Sequence, residues 1–255
     1  MTVTDVNVVK SAIFERPDDA NKGTLGSLLC VCGSYGMAGA AVMSAKGALR
    51  TGIGLAKCAL PRSIYPIVAQ TILESVYYPL SENADGRISK VNVPFLVSES
   101  CKSSATLVGC GLGVCDDTLK IVFSLIENST TLLVLDADAL NCVAKQPEIL
   151  LKKKAPIIIT PHPGEMSRLT GLATPLVNAE RERVALDFAQ KYGVVTVLKG
   201  AGTVIASPNG KVLVNPTGNS GMATGGSGDV LAGMTASILA QGASAFSSAA
   251  AAVYL

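Results

Sequence analysis

The residues best suited to chemistry lie between positions 215 and 229, in the order Asn-Pro-Thr-Gly-Asn-Ser-Gly-Met-Ala-Thr-Gly-Gly-Ser-Gly-Asp. Five glycines from Gly218 to Gly228 permit crowded or left-handed backbone conformations, so several amide N–H groups can point at one cluster of ligand oxygens. An apolar run from Val230 to Ala240 follows, and the N-terminus of the helix that it predicts favours a negative ligand. The segment therefore predicts a phosphate site.

Asp229 stands at the rim of that predicted site, where a carboxylate repels a phosphate. One interpretation is a helix N-cap, a common position for Asp. The other is a base that has to lie beside the reacting group, and the glycine-dense loop before it favours this role. We expect the helix N-terminus to keep the carboxylate ionised. Neither G-x-x-x-x-G-K-[ST] nor an early G-x-G-x-x-G occurs, so a different nucleotide-binding fold is needed.

Short apolar runs that end in Gly, Asp or Pro alternate along the chain with helix-length stretches. This alternation indicates βαβ units and a mainly parallel sheet covered on both faces. A further pair of runs around an Asn-Gly turn predicts an antiparallel hairpin at the sheet edge. We therefore expect one three-layer αβα domain over residues 1–255. The predicted strands are 28–32, 55–59, 106–108, 132–135, 156–159, 194–198, 204–206 and 211–214, and the predicted helices are 38–50, 118–127, 179–192 and 229–240.

Ligands bind at the carboxyl ends of the strands of an open parallel sheet, so the residues after each run are the next candidates. Each has a simpler interpretation. The glycines could form tight turns, Asp136 and Asp138 could cap a helix, His162 could be a structural residue between two prolines, and Lys199 could extend to solvent. Their convergence at one rim favours ligand contact. The segments are Gly33–Ala40, Gly109–Gly113, Asp136–Asp138, Thr160–Glu165 and Lys199–Thr203.

Composition limits the class of protein. With 255 residues, 49% hydrophobic and 16% charged, the chain is long enough for one α/β domain with a sizeable core. A net charge of +2, with no basic run beyond Lys152–Lys154, argues against a nucleic-acid surface. Seven cysteines without a C-x-x-C pair, and a single histidine, predict a reduced, cytoplasmic protein without a structural metal.

The stretch from Val230 to Leu255 carries no charge and is long enough to cross a bilayer. It contains Gln241, Gly242 and four serines, which favour two buried helices over a membrane span. The first residues also lack the basic-then-apolar pattern of a signal peptide. We expect no membrane association.

Four motifs now combine: Lys22–Gly26, Gly36–Ala41, the sequence TPHPGE at Thr160–Glu165, and NPTGN…GGxGD at Asn215–Asp229. With these motifs in this order, the chain resembles the ATP- or ADP-dependent NAD(P)H-hydrate dehydratases of the ribokinase-like superfamily over nearly its whole length. The resemblance implies repair of the hydrated cofactors NADHX and NADPHX to NADH and NADPH. The nucleotide would phosphorylate the C6 hydroxyl with Mg²⁺, and phosphate would then be eliminated.

The resemblance also implies a role for each matching residue. Asp229 resembles the catalytic base and a contact of the hydrated dinucleotide. Glu165 resembles a residue that organises Mg²⁺ through water, and His162 replaces the Asn of the Asn-x-x-Glu found in the superfamily's kinases, which favours a dehydratase. The other implied dinucleotide contacts are Ala40 or Ala41, Gly111 or Gly113, and His162. The implied adenine-nucleotide contacts are Lys199, Gly200, Ala201, Gly202, Thr203, Asn219, Gly225, Gly226 and Gly228.

Assembly and partners are expected from the same resemblance. It implies a homo-oligomer, a tetramer or larger, and a separate NAD(P)HX epimerase, since no epimerase domain is attached. Family members usually continue with His-Gly and a last helix after the position of Leu255, so we expect a truncated or naturally short chain. Two rivals stay open: a kinase of a vitamin-precursor alcohol, and a non-catalytic nucleotide-binding module, which would not need a carboxylate against phosphate.

Overall fold

A computed structural model describes residues 3–13 and 15–255 of the chain. The strands are β1 Ser27–Val31, β2 Leu55–Pro61, β3 Val76–Leu80, β4 Ala105–Val108, β5 Leu132–Leu135, β6 Ile157–Ile159, β7 Val195–Leu198, β8 Val204–Ala206 and β9 Val212–Val214. The helices are α1 Val6–Ala12, α2 Ala38–Arg50, α3 Tyr65–Thr71, α4 Val93–Cys101, α5 Asp116–Asn128, α6 Asp138–Val143, α7 Pro163–Thr170, α8 Thr174–Ala179, α9 Arg181–Tyr192, α10 Ser227–Ala240 and α11 Ala245–Tyr254.

The strands form one nine-stranded sheet in the order β3-β2-β1-β4-β5-β6-β7-β8-β9. Strands β1 to β7 are parallel to one another, β8 is antiparallel to β7, and β8 and β9 form the predicted antiparallel hairpin at one edge. In the register, Leu28 of β1 lies between Ala56 of β2 and Ala105 of β4. The chain first runs outward from β1 to β3 and then returns to β4, so a ligand-binding crevice is expected where β1 meets β4.

Helices cover both faces of this sheet, as the alternation of strands and helices predicts. On one face, helices including α4, α5 and α9 bury Leu96, Leu125 and Phe188 against the strands. On the other, α2 and α10 contribute mainly small residues such as Ala45 and Ala236. Small residues let helices approach closely, and this second face carries the glycine-rich start of α10.

Helices α2 and α10 pack backbone against backbone. A Cβ atom placed on Gly233 would overlap the carbonyl oxygen of Ser44, and one placed on Gly47 would lie 2.6 Å from the carbonyl oxygen of Val230. Only glycine allows this approach. The contact fixes the first turn of α10, and with it Asp229, relative to the loop that precedes α2.

The sequence-based prediction missed β3, which lies at the sheet edge and contains Tyr77, Tyr78 and Pro79. Proline cannot donate to a strand ladder, so it obscures a strand and is tolerated only at an edge. The stretch after Val230 forms two helices separated by Gly242, whose φ is 105°. No helix in the described residues is both long and apolar enough for a transmembrane segment.

Candidate active site

The loops after the parallel strands meet at one edge of the sheet, as predicted. Gly33 N–H donates to the carbonyl of Cys110 at 2.8 Å, which joins the loop after β1 to the loop after β4. Lys199 N–H donates to the carbonyl of Pro161 at 2.8 Å, which joins the loops after β7 and β6. Gly113 N–H donates to the Asp138 carboxylate at 2.8 Å. These bonds hold the candidate residues in one continuous rim.

Asp136 lies at the centre of this rim and is 1% exposed. Its Oδ1 accepts hydrogen bonds from Lys199 Nζ at 2.6 Å and from the Thr160 hydroxyl at 2.7 Å. The Cys110 thiol donates to its other oxygen at 3.7 Å. The interpretation of Asp136 and Asp138 as helix caps is wrong: the N-cap of α6 is Ala137, and both carboxylates bind groups from other segments.

Lys199 points inward and does not extend to solvent. Its side chain is 17% exposed, and its ammonium also lies 3.9 Å from Glu165 Oε2. Burial alone would lower the pKa of Lys199, but the Asp136 and Glu165 carboxylates outweigh burial and raise it. A Cβ atom placed on Gly228 would lie 3.4 Å from the ammonium. Lys199 is therefore a charged group held where the glycine loop joins α10.

His162 and Glu165 form a reciprocal cap at the start of α7. His162 Nδ1 accepts from the backbone N–H groups of Gly164 at 3.0 Å and Glu165 at 3.3 Å, and Glu165 Oε2 accepts from His162 N–H at 2.8 Å. Burial, and then the nearby Lys199 and Arg168, lower the pKa of His162. A neutral ring that accepts at Nδ1 carries its proton on Nε2. His162 thus has a structural role, and its Nε2 lies 3.5 Å from Glu165 Oε1 at the half-exposed end of the ring.

Asp229 lies in the first turn of α10, whose N-cap is Gly226 with φ 93°. The carboxylate is therefore not the helix cap. Burial, and then the Asp136 carboxylate, raise the pKa of Asp229, while the Cys110 thiol and Lys199 oppose the rise. This direction is opposite to the effect expected from the helix N-terminus. A raised pKa makes the carboxylate a stronger base, which suits proton abstraction.

Carboxylates outnumber cations at the centre of the rim. The ammonium of Lys199 lies 2.6 Å from Asp136 Oδ1 and 3.9 Å from Glu165 Oε2, and the Asp229 carboxylate lies beside Asp136. Burial, and then Asp136, also raise the pKa of Glu165. One donor atom each of Cys110, Asp136 and Asp229 lie within 4.8 Å of one another. Oxygen donors are what Mg²⁺ prefers, and it typically takes one or two carboxylates together with phosphate and water. The acidic residues fit that ion.

The glycine loop is exposed from residue 216 to residue 225. Only Gly218 and Gly226 of its five glycines have positive φ, at 102° and 93°. A Cβ atom on Gly225 would meet no described atom within 4 Å, so its backbone is open to a ligand. The Asn219 side chain accepts from Gly221 N–H at 2.9 Å and thereby shapes the loop.

The predicted dinucleotide contacts meet where β1 adjoins β4. A Cβ atom on Gly111 would lie 2.7 Å from the Cβ of Ala40, and one on Gly33 would lie 3.0 Å from the Cβ of Ala41. The structure therefore places Ala40 against Gly111, while Ala41 packs below the loop after β1. Gly113 follows along the same rim, with φ 72°.

The segment from Lys199 to Thr203 borders an open groove of about 500 Å³. Ala201 and Gly202 line it together with residues 178–183, Val204 and Val214. Arg181 at the start of α9 donates to the carbonyls of Leu198 at 2.8 Å and Lys199 at 3.2 Å. The sequence-based prediction missed Arg181. The position of Arg181 in the first turn of a helix could have indicated it, because the helix dipole disfavours a cation there.

The comparisons with known proteins agree with this geometry. A family model described as NAD(P)H-hydrate dehydratase matches residues 28–255. The chain is 38% identical over 233 residues to the bifunctional NAD(P)H-hydrate repair enzyme Nnr of Moorella thermoacetica, covering 91% of this chain and 44% of that protein. It is 35% identical over 243 residues to the ADP-dependent (S)-NAD(P)H-hydrate dehydratase of Neisseria meningitidis, covering 94% and 78%.

A solved structure shares the fold over almost the entire chain. It is the ADP/ATP-dependent NAD(P)H-hydrate dehydratase from Bacillus subtilis, co-crystallized with ATP/Mg²⁺, with a TM-score of 0.83 and 31% identity. The match covers 98% of this chain and 85% of that one. The chain spans less than half the length of the bifunctional relatives.

Proposed function

Because the chain belongs to the NAD(P)H-hydrate dehydratase family, we propose that it uses ATP or ADP to dehydrate (S)-NADHX and NADPHX back to NADH and NADPH. One observation carries the proposal: Asp229, with its raised pKa, lies beside the buried Asp136–Lys199 pair at the start of α10. An Asp229 carboxylate oxygen lies within 4.8 Å of one from Asp136, and Asp136 Oδ1 pairs with Lys199 at 2.6 Å, so Asp136 links the base to the cation. The named activities of the relatives support the same reaction.

The proposed chemistry has two steps. Asp229 accepts the proton of the C6 hydroxyl while that oxygen attacks the terminal phosphate of the nucleotide, whose terminal P–O bond breaks to release ADP from ATP or AMP from ADP. The lone pair of the ring nitrogen then expels phosphate from C6, and loss of the C5 proton to solvent restores the dihydronicotinamide. Phosphoryl transfer of this kind depends mainly on positioning and on neutralisation of phosphate oxygens. The oxygen of the C6 hydroxyl therefore leaves the ring as part of the released phosphate.

The surrounding residues supply that positioning. Lys199 and the amides near Gly225 and Gly228 bind phosphate oxygens, and the groove beside Ala201 and Gly202 takes the adenine nucleoside. Asp136 and Glu165 would hold Mg²⁺, Glu165 through water, and the ion would supply positive charge to the phosphates. The Nε2–H of His162 and the backbone around Ala40 and Gly111 orient the hydrated ring.

We also propose a domain extent, a location and an assembly. Residues 1–255 form one domain, which acts in the cytoplasm as a homo-oligomer. An NAD(P)HX epimerase would supply the (S) epimer. The bifunctional repair relatives, which are more than twice as long as the matched region, support a second activity that works with this one.

The test is the recovery of NADH absorbance from NADHX with ATP and, separately, with ADP. Turnover with either nucleotide and its loss on addition of EDTA are expected. Mass spectrometry of the reaction with thiazole and pyrimidine alcohols is the matched control. Phosphorylation of such an alcohol without formation of NADH would instead identify a kinase, and nucleotide binding without any product would identify a binding module.

A further inference from the structure

Arg87 brings a guanidinium to the substrate side of the rim. It lies on the loop between β3 and α4, which follows the carboxyl end of β3 and therefore faces the same edge as the loops after β1 and β4. A Cβ atom placed on Gly113 would overlap Arg87 Nε and lie 3.0 Å from its Cδ. The arginine side chain thus lies directly across Gly113.

The loop that carries Arg87 is fixed at both ends. Asn83 Oδ1 accepts from the backbone N–H groups of Asp85 and Arg87, each at 3.1 Å. Asn83 Nδ2 donates to the carboxylate of Asp117 at 2.9 Å, and Tyr35 N–H donates to the carbonyl of Gly86 at 2.9 Å. These bonds use backbone groups of the loop and do not involve the Arg87 guanidinium.

The guanidinium is only partly engaged. Its NH1 donates to Asp85 at 3.3 Å, but the Asp85 side chain is 69% exposed, so the pair is weak. The other nearby carboxylates have partners of their own. Asp138 accepts from Gly113 N–H, and Asp117 accepts from Asn83. The Cys115 thiol is a further hydrogen-bonding neighbour of the guanidinium, and the Arg87 side chain is 31% exposed.

We propose that Arg87 binds the pyrophosphate of the hydrated dinucleotide. The inference rests on the proposed function, which places the reacting ring at Asp229 and the dinucleotide along Ala40 and Gly111. In a dinucleotide, one ribose separates the nicotinamide ring from the pyrophosphate. Along the rim, the Asp138 carboxylate accepts from Gly113 N–H at 2.8 Å, and Arg87 lies across Gly113. A planar guanidinium binds phosphate oxygens through two parallel hydrogen bonds, so it suits this group.

The decisive variant is Arg87→Ala, assayed with NADHX and with NADPHX. Loss of charge-assisted hydrogen bonds predicts a rise in KM of roughly 10- to 100-fold for both substrates, with the KM for ATP unchanged. Arg87→Lys keeps the charge but not the fork and should give an intermediate KM. With the hydrated reduced riboside, which has no phosphate, Arg87→Ala should behave as wild type.

Two control variants separate binding from structure. Asp85→Ala removes the partner of Arg87 and leaves the guanidinium in place, so its KM should not rise. Arg50→Ala removes an equal charge from the exposed end of α2 and should have no effect. If Arg87→Ala and Asp85→Ala lower the melting temperature equally and leave KM unchanged, Arg87 only pairs with Asp85 and the inference fails.

A binding measurement distinguishes failure of this inference from failure of the proposed function. NADH fluorescence, titrated with wild type and Arg87→Ala in the presence of ADP, needs no turnover. Weaker binding by the variant supports the inference even if wild type does not convert NADHX. If wild type and Arg87→Ala both turn over NADHX normally and with the same KM, the inference is overturned and the proposed function is unaffected. A rise in KM confined to NADPHX would assign Arg87 to the 2′-phosphate and overturn the pyrophosphate assignment.

Discussion

The ammonium of Lys199 lies 2.6 Å from the carboxylate of Asp136, and this ion pair bridges the ends of β7 and β5 across β6. Both side chains are largely buried. In a low-dielectric environment the two opposite charges attract each other strongly, and this attraction offsets the cost of burying each of them. The pair also sets the local charge that Asp229 and Glu165 experience, because Asp136 raises the pKa of both carboxyl groups and Lys199 lowers it.

Replacing Lys199 with Met leaves the buried Asp136 carboxylate without its cation. We expect a loss of about 3–5 kcal/mol in the free energy of unfolding, measured by urea denaturation. The double variant Lys199→Met with Asp136→Asn should recover much of that loss, since no uncompensated charge then remains. Equal stability of wild type and Lys199→Met would show that the pair does not hold these loops together.

Replacing Asp229 with Asn should abolish turnover and leave ATP binding intact, because the amide cannot accept the hydroxyl proton. Retention of more than a few percent of the activity, measured against the binding isotherm, contradicts the assigned role. In the wild type, activity should fall on acidification with a midpoint above the ordinary Asp value of about 3.9, since the pKa of Asp229 is raised.

The same variant should be more stable than wild type at neutral pH. A carboxyl group whose folded pKa is raised binds more protons in the folded state, so its effect on stability becomes unfavourable as pH rises through that pKa. The advantage of Asp229→Asn is therefore present above the folded pKa and disappears below about pH 4. Thermal unfolding at pH 7.5 and pH 3.5 checks this, and an equal difference at both values would contradict it.

The alternation of strands and helices predicted the layered fold because it depends on local periodicity. Residues 38–50 and 204–206 were located to the residue, as α2 and β8. Strand β3 was missed because its Pro79 is tolerated only by the strand's place at the edge, which no local pattern reveals. The loop after β3 was missed with it, and so was Arg87.

The candidate site was predictable as a set of segments but not as a network. Gly-rich and acidic segments after each strand indicated one rim, and the structure brings them together. The partners of each side chain depend on strand order. Asp136 contacts Lys199 because β6 alone lies between β5 and β7, although the two residues are 63 positions apart. Burial first, and then Asp136, raise the pKa of Asp229, and both depend on the folded arrangement of segments that are distant in the sequence.

Replacing Arg181 with Ala should weaken nucleotide binding without altering the substrate contacts. Its guanidinium holds the carbonyls of Leu198 and Lys199 in place, and a Cβ atom on Gly200 would lie 3.0 Å from it. We expect the KM for ATP to rise by roughly tenfold, the equivalent of one charged hydrogen bond, with the KM for NADHX unchanged. Lys191→Ala, which removes an exposed cation from the last turn of the same helix, outside the groove, is the control, and an equal effect of both variants would contradict the assignment.

Replacing Gly233 with Ala tests the contact that positions Asp229. The added methyl group would overlap the carbonyl of Ser44, and a backbone atom cannot move aside as a side chain does. We expect the free energy of unfolding to fall by about 1–3 kcal/mol. Because α10 has to shift away from α2, Asp229 shifts with it, and a displacement of 1 Å costs on the order of 100-fold in rate.

The control is Gly39→Ala in α2, where an added Cβ meets no described atom within 4 Å. This variant should instead stabilise the protein by up to about 1 kcal/mol. A Gly233→Ala protein with wild-type kcat and stability would show that the close approach of the two helices does not set the position of the base.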